Sequence, residues 1–441
     1  MPRGPKRLQL IFTGKNLTHF GGLFLLQQFI KQIGLRHQLS HAIPFPQRNN
    51  RYSFADLVLA ICYPMMLGLG RVETMRLLQR NGVFQYLTGL PAYPDPTSLR
   101  RFLLRWTPQT MQKLRHLHDR FLRYFTQQPR PLTSVIFDLD STVLTVYGHL
   151  QGARVGYNPH KRGRPSYHPL LCFEGHRQDC WHAEFRPGNA FTGAGGLACL
   201  QACLAKVPPT VRSIRVRGDV GFYNRDLVEF LDEKRWGYAI VAKLTQPIQY
   251  RLPGLRYRRI RPGLEVATFR YRPHDWRKTH RFIVVRKLLP EEHSPQGQLT
   301  LFQLDDWAYH VYVTNLALRP VNVWRFYNQR ATVELLIKEL KSAYPLAKIP
   351  TRFWHANEAY FHLLLFTYNL VHWFKRLCLP PRWHSATLRT IQTELLLVPA
   401  ELVRPQGAPF LKLSANFLHR DTFHHALRRI RRLRIPTTFR P

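Results

Sequence analysis

Ser134-Val135-Ile136-Phe137-Asp138-Leu139-Asp140-Ser141-Thr142-Val143-Leu144-Thr145-Val146-Tyr147 is the stretch on which the fold turns. It is dense in β-formers and predicts a strand, then a turn and a second strand. Before it, residues 1 to about 125 read as helical. Apolar residues recur at helical spacing from Leu23–Leu26 to Ile30 and Ile33, and again from Leu57 to Met66. Pro91, Pro94 and Pro96 mark a turn, and Thr97-Ser98 can cap a helix over Leu99–Trp106. That helix carries Arg100, Arg101 and Arg105, a basic face suited to solvent or to a polyanion.

After the deciding stretch, Leu170–Phe173 and Trp181–Phe185 read as strands and Gly193–Lys206 as a helix. Ser213–Asp219 is a further strand, Asn224–Lys234 a helix and Tyr238–Ala242 a strand. Three strands, helix, strand, helix, strand predict a mixed α/β plan. Residues 243–312 break that rhythm. Arg251, Arg256, Arg258, Arg259 and Arg261 alternate with Tyr, Leu and Ile, and β-like runs follow at Glu265–Tyr271 and Arg281–Lys287. An inserted, basic, β-rich region is expected there. Helical patterning returns at Val323–Ala343 and His355–Leu377, and a short helix over Ala426–Arg434 crowds Arg428, Arg429, Arg431, Arg432 and Arg434.

The chain has 441 residues, with 65 Lys+Arg against 26 Asp+Glu and a formal charge of +39. A 45% hydrophobic content excludes a disordered basic tail, which could not bury a core. So large a charge implies a polyanionic partner, nucleic acid first. A membrane role is not expected. The most apolar stretches, Phe54–Gly70 and Tyr360–Phe374, contain Asp56 and Pro64, and His362, Asn369 and His372. Neither gives the run of about 20 apolar residues that a spanning helix needs. Met1–Arg7 is basic, with no apolar leader segment after it, so a soluble intracellular protein is expected. The six cysteines make no disulfide framework. Cys199 and Cys203 with Cys180 and His182 can be drawn as a zinc site, but the pair falls in an apolar helix and buried thiols are the favoured reading.

With so few acids, those in apolar or basic settings carry the chemistry. Asp138 and Asp140 stand two apart on a strand and face the same way. Asp219 ends a strand, where a turn aspartate is the plainer reading. Tyr327, Arg330, Glu334 and Lys341 fall within roughly 60° of one another on a helix turning about 100° per residue. Lys338 lies close to that stripe, and Val333, Leu336, Ile337 and Leu340 supply a buried side. Carboxylates on separate elements suit hard divalent ions, which take oxygen ligands and can activate an attacking oxygen while steadying a leaving one. Tyr, Arg and Lys beside them suit DNA phosphates.

The Tyr327/Arg330/Glu334/Lys341 spacing resembles the Tyr-Arg-Glu-Lys signature of bacterial insertion-sequence DDE transposases. Asp140-Ser141-Thr142 is similar to that family's first aspartate motif. Arg217-Gly218-Asp219-Val220-Gly221-Phe222 is similar to its second, usually Arg-Ala-Asp-Ser-Gly-Phe. Gly156–Leu171 and Tyr312-Val313-Thr314-Asn315-Leu316 also look like this group, so the similarity runs over about residues 130–375. Gly218 and Val220 depart from the usual small Ala and Ser, and Val220 removes a hydroxyl. Asp138 is a rival first ligand; the following Ser-Thr favours Asp140.

The resemblance implies an RNase H-like α/β catalytic core interrupted by a β-rich insertion, and the 115-residue separation of Asp219 and Glu334 leaves room for it. It implies a metal-binding catalytic triad of Asp140, Asp219 and Glu334, holding two Mg²⁺ ions with Mn²⁺ able to substitute. The expected layout is a helical DNA-binding region at 1–128, core at 129–242, insertion at 243–312, core with the signature helix at 313–378, and a basic helical region at 379–441. Tyr327, Arg330, Lys338, Lys341, Lys161, Arg162, Arg164, Arg428, Arg429, Arg431 and Arg432 are the expected DNA contacts. Trp236, Trp276 and Trp307 are candidates to stack on an extruded base, with core packing favoured for each. The implied partners are double-stranded DNA, as terminal inverted repeats and target, and a second copy of the chain in a synaptic complex. The implied setting is the bacterial cytoplasm at the nucleoid. A structure-specific nuclease of the same fold and an inactive DNA-binding regulator are the rivals.

Overall fold

The computed structural model describes residues 10–45, 51–159, 161–289, 302–304 and 306–436. The basic start Met1–Arg7, His160 and residues 290–301 of the expected insertion lie outside the described residues. The described chain falls into two compact units, one drawn from 1–105, 343–345 and 373–441, the other from 106–342 and 346–372.

The first unit is mainly helical. Ser53 opens the helix Phe54–Met66 with a reciprocal cap: its hydroxyl accepts from the Asp56 N–H, and the Asp56 carboxylate accepts from the Ser53 N–H. This helix is buried on all sides, which is why its sequence shows almost no polar face. The helix expected at Leu99–Trp106 runs Pro96–Leu104. Asp95, not Thr97 or Ser98, caps it, accepting from the Thr97 N–H at 2.8 Å with Pro96 in the first turn. The tail is less uniformly helical than expected. Ala400–Val403 pairs with Phe410–Leu413 and with Leu17–Thr18 in an antiparallel sheet. The turn between the first two is made by Gln406 and Gly407, both at positive φ. The basic tail helix spans Arg420–Arg431, six residues earlier than its arginines alone suggested.

The second unit is built on a ten-stranded mixed sheet. It begins with helix α1 (Pro108–Phe125), capped by Thr107. Strands β1 (Ser134–Ser141), β2 (Leu170–Glu174) and β3 (Cys180–Glu184) are antiparallel neighbours. Helix α2 (Gly196–Leu204) leads to β4 (Ser213–Gly218), which lies parallel to β1. Helix α3 (Arg225–Glu233) leads to β5 (Gly237–Val241), parallel to β4. The β1 interior is buried on both faces, so it reads as a continuous apolar run rather than an alternation.

The β-rich stretch does not fold apart from this sheet. Strands β6 (Arg258–Arg261), β7 (Leu264–Tyr271), β8 (His280–Leu288) and β9 (Trp307–Thr314) extend it through β9, which pairs antiparallel with β5. The full order is β6-β7-β8-β9-β5-β4-β1-β2-β3, with Phe302–Leu304 also on β9. Helix α4 (Pro320–Asn328) covers one face, where Val323 and Phe326 pack against Ile136, Ala239, Val266, Ile283 and Tyr312. Helix α5 (Ala331–Ser342) follows, then α6 (Trp354–Cys378), whose residues 354–372 belong to this unit. From α6, the Asn369 side chain accepts from the Cys180 N–H and donates to the Cys180 carbonyl, both at 2.8 Å. The edge strand β3 is thereby covered by a side chain that mimics a neighbouring strand. Among the described residues no helix is long and apolar enough to cross a membrane.

Candidate active site

Parallel pairing of β1 and β4 sets the site. Asp138 lies opposite Arg217, so two residues further along, Asp140 near the end of β1 and Asp219 just past β4 come to the same end of the sheet. Carboxyl ends of neighbouring parallel strands are where open α/β sheets carry their chemistry. Asp140 accepts from the Ser141 N–H at 2.8 Å, and Asp219 opens a single turn over Val220–Phe222 by accepting from the Gly221 N–H at 2.9 Å. Glu334 stands exposed in the first turn of α5.

The stretch from Tyr327 to Lys341 is not one helix, contrary to the spacing argument. It breaks at Gln329-Arg330, where the Arg330 N–H bonds back to the Tyr327 carbonyl at 2.8 Å. Arg330 is buried at this break and its guanidinium points among the three acids. One nitrogen lies 3.1 Å from Asp140 Oδ1 and 3.9 Å from Asp219 Oδ2; another lies 3.6 Å from Glu334 Oε1. It also donates to the Leu139 carbonyl at 2.9 Å. Arg330 and Glu334 of that spacing do lie together, but convergence across a helix break gathers them, not one helical face.

The electrostatics follow from burial around one cation. Burial pushes the Asp140 carboxyl up to about 6; Arg330 pulls it down, while Asp219 and Glu334 push it further up. Burial opposes the Arg330 charge, but Asp140, Tyr327 and Asp219 outweigh it and hold the guanidinium above its usual pKa. The Tyr327 ring packs on Tyr312 at 4.7 Å, and burial pushes its hydroxyl up to about 12, so it stays a donor. Lys341 donates to the Val143 carbonyl at 3.1 Å, and its pKa is lowered by burial with Asp140 opposing. Lys338 is exposed on α5.

A second guanidinium lies beneath. Arg217 takes both oxygens of Asp138, at 2.5 and 2.6 Å, and donates to the Phe326 carbonyl at 2.8 Å. Both side chains are buried away from water, and both oxygens of Asp138 are engaged by the guanidinium. This one residue ties β1, β4 and α4 together, the elements that carry Asp140, lead into Asp219 and carry Tyr327. Its role was not read from the sequence, although an arginine among the buried residues of a strand was the signal. His168 was also missed. Its Nδ1 donates to the Ala190 carbonyl at 2.9 Å, which leaves Nε2 to accept from the Ser141 hydroxyl at 2.9 Å, directly beside Asp140.

The other expected contacts lie elsewhere. Lys161, Arg162 and Arg164 are exposed on the loop joining Arg154–Val155 to Pro165–Tyr167, in a small sheet with Leu144–Thr145 just after β1. Asn158 braces that loop by accepting from the Lys161 N–H and donating to Thr145. Arg428, Arg429, Arg431 and Arg432 are exposed on or at the end of the tail helix of the other unit. The tryptophans are occupied by packing. Trp236 and Trp276 are buried, and Trp307 carries the Arg286 guanidinium 4.4 Å from its ring centroid.

Fold and site together define a mixed α/β protein with an acid-lined centre at the ends of two parallel strands. A family model described as "Transposase DDE domain group 1" matches residues 2–435, and the chain belongs to that family of DDE transposase domains. Among curated proteins none matches the sequence. Among solved structures, the synaptic complex of piggyBac transposase with hairpin DNA is similar at 13% identity and a TM-score of 0.40. That alignment covers 91% of this chain and 88% of the other.

Proposed function

We propose that this DDE transposase cuts DNA at the ends of its own element and joins the freed ends to target DNA, with Asp140, Asp219 and Glu334 as its metal-binding triad. The observation that carries the reading is the meeting of these three acids, from three separate elements, around the buried Arg330. The donor set is all oxygen, and Asp140 is raised to about 6 with two acids beside it. Such a centre calls for more positive charge than Arg330 alone supplies, which fits hard divalent ions. Mg²⁺ bound there, with Mn²⁺ able to substitute, would supply activation of an attacking oxygen and stabilisation of a leaving one.

The protein's own groups do the positioning. Arg330 fixes Asp140 and Glu334, and Arg217 fixes the strands beneath them. Lys341 and Lys338 on α5, with Lys161, Arg162 and Arg164 on the basic loop, provide charge for backbone phosphates. The sheet order β3-β2-β1-β4-β5, with β1 parallel to β4, supports an RNase H-like core, and residues 243–312 enter between β5 and the Glu334 helix. The helical residues 1–128 and the basic region 379–441 take the terminal inverted repeats, and two copies of the chain hold the two ends in synapsis.

The test is cleavage of labelled duplex carrying the gene's flanking repeats, with Mg²⁺ or Mn²⁺, by the full chain and by Asp219→Ala and Glu334→Ala. Breaks at the repeat boundary, lost in both variants while binding survives, are expected. Cleavage of branched DNA regardless of repeat sequence would favour a structure-specific nuclease. Tight binding without metal-dependent cleavage would favour an inactive regulator.

A further inference from the structure

The sheet face opposite Asp138 and Asp140 holds a second chemically distinctive cluster. Leu139, Cys172 and His182 are paired across β1, β2 and β3, so their side chains share this opposite face. Helix α2, which runs Gly196–Leu204, brings Cys199 and Cys203 to Cys172; at i and i+4 these two lie on one side of the helix. The three sulfurs lie within 4.8 Å of one another, and all three residues are fully buried. The zinc site that can be drawn from the sequence joins the helical pair to Cys180 and His182; the sulfur that meets the pair is Cys172 on β2.

We propose that Cys172, Cys199 and Cys203 bind a thiophilic metal ion, Zn²⁺ in the cell, which fastens α2 to β2 behind the strand that carries Asp140. With Zn–S bonds of about 2.3 Å, a tetrahedral ion holds its sulfurs about 3.8 Å apart, so the observed cluster needs only a small contraction. The donors come from a strand and a helix of one unit, and the helical pair is preset by the backbone. His182, directly across from Cys172, lies on the same face but turns its Nε2 toward Glu184, 3.6 Å away, so the three sulfurs are the donors. An ion pair lies at the end of the same helix. Lys206, just beyond α2, is buried with its Nζ 2.8 Å from Asp119.

The test uses the full-length protein purified without chelators or metal affinity resin. Bound zinc is measured by elemental analysis, and the zinc-stripped wild-type chain is titrated with Co²⁺. About one zinc per chain is expected, together with a sulfur-to-cobalt charge-transfer band and the intense visible bands of a tetrahedral ion. Cys199→Ser and Cys203→Ser should lose both signals, whereas Cys378→Ser, outside the cluster, should keep them. A wild-type chain that holds no zinc and gives no charge-transfer band overturns the proposal, as does a cysteine pair shown to be a disulfide by intact mass. The wild-type titration stands on its own, so a variant that fails to fold leaves the test decisive.

Discussion

Arg217 grips Asp138 with two short bonds where neither side chain meets water, so removing either partner strands a charge. Asp138→Ala is expected to lower stability by about 3–5 kcal/mol, the usual penalty for breaking one half of a buried pair. Urea unfolding measures it, and a loss below about 1 kcal/mol would contradict the account. Replacing both partners, Arg217→Met with Asp138→Leu, should recover much of that stability because no charge is left unpaired. In the proposed enzyme the double variant should still cleave poorly, since the Phe326 carbonyl loses the donor that positions the end of α4. The same pair shows what spacing could not decide. Asp138 and Asp140 share a strand face and are equivalent by alternation. What separates them is a guanidinium arriving from 79 residues further on, which consumes one acid and leaves the other at the strand end. Asp219 is similar: its place was legible as a strand end, but its neighbours were not.

At the scale of elements, the central strands were the most legible part. A strand buried on both faces leaves an unbroken apolar run, and β1, β2, β4 and β5 all appear within a few residues of where the pattern puts them. The break in the signature stretch was not legible, because no Gly or Pro lies between Tyr327 and Lys341. It follows from tertiary demand, the pull of the Leu139 carbonyl and Asp140 on Arg330, which local spacing does not encode. The strands at Ala400–Val403 and Phe410–Leu413 were missed for a related reason, being short with only two buried residues between them. The start of α6 offers a test of such demand. Gly152 has φ +74°, and a Cβ there would fall inside the Trp354 ring; Gly148 has φ +84° with open space around it. Both substitutions to alanine meet backbone strain, but only Gly152→Ala also meets a packed ring. Gly148→Ala is expected to cost about 1 kcal/mol, and Gly152→Ala about 2–3 kcal/mol more. Paired thermal or urea unfolding gives the difference, and equal losses would remove Trp354 from the explanation.

Two properties belong to the molecule as a whole, its buried bases and its net charge. Burial, with Lys206 adding repulsion, pushes His118 down to about 3, and burial with Arg115 holds His362 well below its usual value. Both rings are neutral in the folded chain, whereas unfolded histidine takes a proton near pH 6.5. The unfolded state therefore binds more protons below that pH. Stability should be level above pH 6.5 and fall as the pH drops toward 3, by about 2 kcal/mol at pH 5 for His118 alone. Urea midpoints across this range check it, and His118→Gln should flatten part of the slope. The net charge of +39 makes a different demand, because the few acids are partly spent inside the fold. Asp138 is held by Arg217, Glu358 by Arg115 and Glu265 by Arg286, and the 65 Lys+Arg of the chain far outnumber its 26 acids. If DNA is the partner, each phosphate neutralised releases counterions, and log K should fall with log salt by about 0.9 per contact. Arg428 and Arg431 are exposed at the end of the tail helix, where they add charge to its carbonyl terminus. Replacing both with alanine should make the salt slope shallower by about 2. The loss should be the same for repeat and unrelated duplex, because phosphate contacts carry no sequence. An unchanged slope would remove the tail helix from the DNA contact. A loss confined to the repeat would instead make these arginines readers of base edges.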